Sequence, residues 1–173
     1  TTLFRSVASA LSAQNALPQG YRKIRLGMSV DEVKQLLQQD SLFGYHGDRD
    51  VSLLPGENRI LIETDALAGH VDSFLDRCWF QFADDRLYII TINLNREKID
   101  HYSVFTTLCD KYGNPQKLTP EKSTWENSSI TMTLERPLTL KYVDNATFEK
   151  LSKKSNVSNS VEEMTAEIFL EGL

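Results

Sequence analysis

Cys78-Trp79-Phe80-Gln81-Phe82, then Ala83-Asp84-Asp85-Arg86, then Leu87-Tyr88-Ile89-Ile90-Thr91-Ile92-Asn93-Leu94 constrain the fold more than any other stretch. Both arms are dense in aromatic and β-branched residues and contain no Pro or Gly, and the break is polar, so they read as a β-hairpin. Alternation sets Tyr88, Ile90, Ile92 and Leu94 on one side of the second arm and Leu87 and Ile89 on the other. Apolar residues on both faces predict cover on both, and therefore a central place in a sheet. Cys78, Phe80 and Phe82 share one face of the first arm.

Two helices carry their own start signals. Ser29 and Glu32 form a capping box, Met28 and Val33 a hydrophobic staple, and Val33, Leu36 and Leu37 the buried stripe. Ile24 and Leu26 lead in as a short extended piece. The second helix runs over residues 101–112 with Asp100 as cap, Ile99 and Val104 as staple, and Tyr102, Phe105, Leu108, Cys109 and Tyr112 on one face. Gly113 supplies its stop, with Pro115 beyond.

Strands are expected at Ser41-Leu42-Phe43-Gly44-Tyr45, Val51 to Leu54, Arg59 to Thr64, Ser123 to Glu126, Ile130 to Leu134 and Leu138 to Val143. Ala66 to Leu75 reads as a loop with a helical turn. In the last strands Ile130, Met132, Leu134, Leu140 and Tyr142 alternate with Thr and Lys, so one face there is wet. Asn145 is the expected cap of a short helix with Phe148 and Leu151 inward.

Residues 27 to 94 and 100 to 143 repeat one plan, a capped helix followed by an antiparallel meander. The expected fold is α+β, an antiparallel sheet with helices packed on one face, built as two helix-plus-meander halves. A single domain over 21–154, divisible at 21–98 and 99–154, suits a chain of 173 residues. Residues 1–20 read either as the trailing part of an export signal, processed near Ala13, or as an amphipathic helix. Residues 155–173 read as a polar linker and an acidic C-terminal helix capped by Ser160 and Glu163.

Gly27-Met28-Ser29 followed by Asp31-Glu32-Val33 is similar to the helix-opening signature of the BamE/SmpA outer-membrane lipoproteins and the β-lactamase-inhibitor-protein-like fold. Their Gly and Pro helix exit is matched in Tyr112-Gly113-Asn114-Pro115 and missing after Leu36-Leu37-Gln38-Gln39-Asp40. The resemblance implies a periplasmic or secreted, non-enzymatic, protein-contacting module; a cytoplasmic domain is the alternative.

The chemistry written in the sequence is sparse. His46 precedes Asp48 and Asp50, and His70 precedes Asp72, but no zinc-type spacing occurs and no metal or cofactor is expected. No nucleophile elbow, phosphate loop or dinucleotide fingerprint is present. A net charge of -5 with pI near 5.2 argues against nucleic acid as a partner. No apolar run reaches the roughly 20 residues of a transmembrane helix. Cys78 and Cys109 are expected as buried thiols, with a disulfide as the alternative in an oxidising compartment. Phe43, Tyr45, His46, Arg49 and Trp125 form the candidate contact set for a protein partner, because aromatic residues and Arg dominate contact hot spots; the competing reading is that the aromatics complete the rim of the core. A His46, Asp48, Asp50 and His101 hydrolase-like site, and a small-molecule carrier with an apolar cavity, are the alternative functions.

Overall fold

A computed structural model describes residues 16–69 and 72–155. The expectations for residues 1–15, His70 and the C-terminal helix lie outside the described residues.

The chain folds as α+β. A two-stranded ribbon, β1 (Gly20–Tyr21) and β2 (Ile24–Arg25), precedes α1 (Val30–Gln39). Then come β3 (Val51–Leu53), β4 (Arg59–Asp65), the short α2 (Ala66–Gly69), β5 (Leu75–Ala83) and β6 (Arg86–Leu94). After α3 (His101–Tyr112) follow β7 (Lys117–Leu118), β8 (Lys122–Glu126), β9 (Ile130–Glu135) and β10 (Thr139–Asp144). Eight strands form one antiparallel sheet in the order β3-β4-β5-β6-β10-β9-β8-β7. Each half is thus a helix followed by a four-strand meander, and the halves join through the antiparallel β6–β10 pair, with Tyr142 opposite Ile90 and Leu140 opposite Ile92.

Both caps form. The Ser29 hydroxyl accepts from the Glu32 amide while the Glu32 carboxylate accepts from the Ser29 amide, and the Asp100 carboxylate accepts from the Ser103 amide at 2.9 Å. Aligned on these caps, the two helices bury the same residue types at the same positions along the helix: Val33 matches Val104, and Leu37 matches Leu108. These four side chains meet Phe80, Ile90, Ile92, Met132 and Trp125 in one continuous core between helices and sheet.

Tyr102 departs from its expected place. It stands 73% exposed, because it is two residues, or about 200° of helical rotation, from Val104 at the centre of the buried stripe. The second arm of the hairpin also differs from simple alternation. Gln81 pairs with Ile89, but Phe82 pairs with Leu87, so β6 carries one extra residue there. This bulge shifts the facing of every residue before it. Leu87 therefore joins Ile90 and Ile92 in the main core, while Tyr88 joins Ile89, Ala83, Val143 and Leu151 in a second, smaller cluster. The freed edge is used: Gly27 donates to the Leu87 carbonyl at 2.7 Å and Leu87 donates to the Met28 carbonyl at 2.8 Å.

Leu151 belongs to helical residues 145–155, which follow β10 directly. Asp144 is their cap, its carboxylate accepting from the Thr147 amide at 3.1 Å. Asn145 instead accepts from the Thr131 hydroxyl, and Phe148 faces outward at 48% exposure.

Residues 41–45 coil where a strand was expected. Ser41–Phe43 is a single 3-10 turn, with the Asp40 carboxylate accepting from the Leu42 amide. Gly44 ends it at φ 62°, where a Cβ would lie 2.2 Å from the Asp65 carbonyl oxygen, so only glycine fits. The turn drives Phe43 into the core, edge-on to Tyr21 and Phe80.

Candidate functional site

Five side chains make the sequence-derived contact set, and the structure divides them. Phe43 and Trp125 are 1% and 0% exposed and offer no surface to a partner. Trp125 packs beside Phe105 and donates its indole N–H to the Gly113 carbonyl at 2.8 Å, tying β8 to the end of α3. Its position in a strand near a turn suggested a rim residue, but pairing with Met132 turns it inward. Tyr45 is partly buried, its hydroxyl without a hydrogen-bond partner among the described residues, and burial raises its pKa. His46 and Arg49 remain accessible. The Asp50 carboxylate accepts from the His46 amide at 2.7 Å and lies 3.5 Å from its Nδ1, and Arg49 is 3.8 Å from the same carboxylate.

These residues precede β3, at one edge of the sheet, whereas His101 stands beside β7 and β8 at the other. Asp48 turns to Lys34 at 2.9 Å, which holds its carboxyl below the usual range. Of the hydrolase-like alternative, His46 and Asp50 are therefore brought together, while Asp48 is turned to Lys34 and His101 stands at the far edge of the sheet. Among the described residues no three His, Cys, Asp or Glu side chains gather as a metal-binding set. Cys78 and Cys109 are free thiols, and burial pushes the Cys78 thiol up to about 12, so it is inert as a nucleophile.

A cleft of about 740 Å³ opens between the first turns of α3 and the turn joining β7 to β8. Phe105 and Leu118 give it apolar walls, and Tyr102 stands at its rim. Tyr102 and Leu118 are 73% and 68% exposed, an unusual loss for two large apolar side chains lining one cavity. Leu53, Phe74 and Phe148 are also exposed but none of them lines this cleft, and isolated exposed hydrophobics need no special explanation.

The repeat supplies an internal comparison. Where α3 has Tyr102 and Phe105, the equivalent positions of α1 hold Asp31 and Lys34, although the inward Val and Leu positions are identical. The helix-on-sheet packing common to both halves therefore does not demand aromatics at these positions. That comparison is the signal by which the sequence could have revealed the cleft; Leu118, in a two-residue edge strand beside Pro120, carries no such signal.

Polar groups of the cleft are few and distinct. Asp100 is committed to the helix cap, its second oxygen accepting from the Ser103 hydroxyl at 2.7 Å, and these bonds hold it ionised. His101 has its Nε2 buried without a partner among the described residues, and burial together with the nearby Arg136 charge pushes its pKa down, so the ring is neutral at pH 7. Arg136 is fixed to the wall by its Nε–H, which donates to the Pro120 carbonyl at 3.0 Å. The edge itself is short, only Lys117 and Leu118, with prolines at 115 and 120 on either side, which discourages further strand addition. Recognition in this cleft would rest on side chains.

Among the described residues no helix is long and apolar enough to cross a membrane. No curated protein and no solved structure matches the chain. A family profile described as the TP0088 domain matches residues 19–154, covering β1 through nearly all of helical residues 145–155. The chain belongs to the TP0088 domain family.

Proposed function

We propose that this TP0088 domain is an exported, non-enzymatic binding module that takes up a segment of a partner protein, or an envelope component, in the cleft between α3 and the β7–β8 turn. The observation that carries this reading is the pair Tyr102 and Leu118, both largely exposed and both lining a cleft of about 740 Å³. Burying them removes apolar surface from water, the main favourable term in association. The resemblance of Gly27-Met28-Ser29 and Asp31-Glu32-Val33 to the BamE/SmpA and β-lactamase-inhibitor-protein-like signature supports the export and protein-contact parts. A periplasmic or secreted location belongs to the same proposal.

A small-molecule carrier is the second reading, favoured by one observation: the cleft volume lies within the usual range of ligand sites. Phe80, Ile90, Trp125 and Met132 fill the space between helices and sheet, so a carrier would use this cleft as well.

Capture from cell-envelope extract tests the proposal. Tyr102→Asp and Leu118→Asp, with melting temperatures unchanged, should each release the partner that the unmodified domain retains, whereas Leu53→Asp and Phe148→Asp should retain it. Loss on Leu53→Asp alone would move the contact to the opposite edge of the sheet and end the proposal.

A further inference from the structure

The cleft sits on a frame that the fold uses twice. In the first half the Asp84 amide, in the β5–β6 turn, donates to the Asn58 carbonyl of the β3–β4 turn at 3.0 Å, and the neighbouring Asp85 accepts from Val30, the first residue of α1. In the second half the Arg136 amide, in the β9–β10 turn, donates to the Glu121 carbonyl of the β7–β8 turn at 2.8 Å, and the Arg136 charge acts on His101, the first residue of α3. The connection between helix and sheet is what differs. Eleven residues, 40–50, join α1 to β3, but only four, 113–116, join α3 to β7. The long connection returns to the helix: the Lys34 ammonium donates to the Asp48 carboxylate at 2.9 Å and its charge acts on the Tyr45 hydroxyl, leaving the Lys34 side chain 26% exposed. Lys34 is the α1 counterpart of Phe105. The short connection instead runs straight into the sheet edge, its Gln116 amide donating to the Thr124 carbonyl at 2.9 Å, and none of residues 113–116 lines the cleft.

Cover and helix position are complementary in the first half, a carboxylate meeting a cation. In the second half Phe105 presents an apolar ring, and the charged lining is even, Asp100 and Glu121 against Arg136 and Lys122, so charge selects no sign of guest. Resting on the cleft as the binding site, we infer that its occupant is a short looped segment of a partner protein, lying over Phe105 as Tyr45 and Asp48 lie beside Lys34, with an apolar side chain in the place of Asp48. The partner supplies in trans the cover that the first half carries in cis. The change from Lys34 to Phe105 suits that difference. An exposed ion pair is weak and suffices for a loop already tethered at both ends, whereas a segment from another chain must offset the cost of association, which apolar burial on Phe105 and Tyr102 does.

Amide chemical shifts of the isotope-labelled full chain, titrated with two heptapeptides, test the inference. One probe is Gly-Tyr-His-Gly-Asp-Arg-Asp, the sequence of residues 44–50, and the other carries Leu at the position of Asp48. The Leu probe should shift the amides of Tyr102 and Leu118 and bind about tenfold more tightly than the Asp probe, the difference between burying an apolar side chain and desolvating a carboxylate on an aromatic ring. Tyr102→Ser, a change at an exposed position, should abolish those shifts. Phe105→Lys, which gives the second half the residue of the first, should reverse the order of the two probes; where that variant does not fold, their order on the unmodified chain decides. Equal binding of both probes, lost together in Tyr102→Ser, would overturn the match to the first half and leave the cleft reading standing. Binding of neither probe, or binding indifferent to Tyr102→Ser, would overturn the inference, and the capture experiment with Tyr102→Asp and Leu118→Asp then decides the cleft reading separately. Tighter binding of decanol than of the Leu probe would replace the segment by a small amphiphile, and a dimer dispersed by Tyr102→Ser would replace it by a second copy of the chain.

Discussion

The carboxylate of Asp85, in the turn of the central hairpin, accepts a hydrogen bond from the Val30 amide at 3.0 Å, 55 positions earlier in the chain. It satisfies one of the free N–H groups at the start of α1 and places a negative charge at the positive end of the helix. Asp84 and Asp85 both have positive φ, 48° and 57°, a turn conformation that Asn and Gly adopt more cheaply. The contact of Asp85 with α1 gives a reason for keeping Asp there.

Asp85→Ala should therefore destabilise the domain by about 1–2 kcal/mol, the usual cost of a lost helix-end acceptor. Asp84→Gly, which relieves the turn without touching α1, should be neutral or stabilising by up to about 1 kcal/mol. Urea unfolding of the two variants checks both, and equal losses would show that the turn alone matters.

Ile90 is fully buried between Phe80 and Tyr142 on the neighbouring strands. Ile90→Asp places an unpaired carboxylate at the centre of the sheet, a cost above about 4 kcal/mol, and should yield no folded protein by circular dichroism. A folded variant that had lost only binding would mean this face is a functional surface.

Trp125 gives a graded counterpart. Trp125→Phe removes the indole bond to Gly113 and part of the packing on Phe105, so a loss of about 2–3 kcal/mol is expected from the missing hydrogen bond and reduced volume together. Capture of the partner, measured where the variant is still folded, should be retained.

His101 sets a pH dependence. Burial and the Arg136 charge lower its folded pKa, with Asp100 opposing them in part. The unfolded chain thus takes up its proton first as the pH falls, and stability contributed by the neutral ring is lost on passing below the unfolded value of about 6.5. The melting temperature should fall between pH 7.5 and 5.5 by more in the unmodified domain than in His101→Gln. An equal fall would assign the effect to other groups.

Legibility from sequence followed the range of the forces involved. The capping box at Ser29, the Asp100 cap and the Gly113 stop are local chemistry, and α1 and α3 appeared where Ser29 and Asp100 announced them. The central hairpin and the two-halved α+β plan were equally readable, since alternation and repetition need no knowledge of distant contacts. The bulge at β6 was not, because it answers to the pairing of Leu87 with Gly27 and Met28. The inward turn of Phe43 depends on Gly44 fitting under the Asp65 carbonyl, and the burial of Trp125 on its pairing with Met132. The cleft was missed because Tyr102 shares a broad apolar arc with Phe105 and Cys109, and only the packed orientation of α3 shows that the arc is centred on Val104 and Leu108.

A photoreactive phenylalanine analogue placed at position 102 of the full chain, with position 53 as control, tests the central claim most directly. After irradiation in cells that naturally make the protein, position 102 should give a discrete adduct of higher mass, and position 53, at the opposite sheet edge and 84% exposed, should give none. An adduct at 53 and none at 102 would contradict the assignment of the binding face to the α3 and β7–β8 cleft.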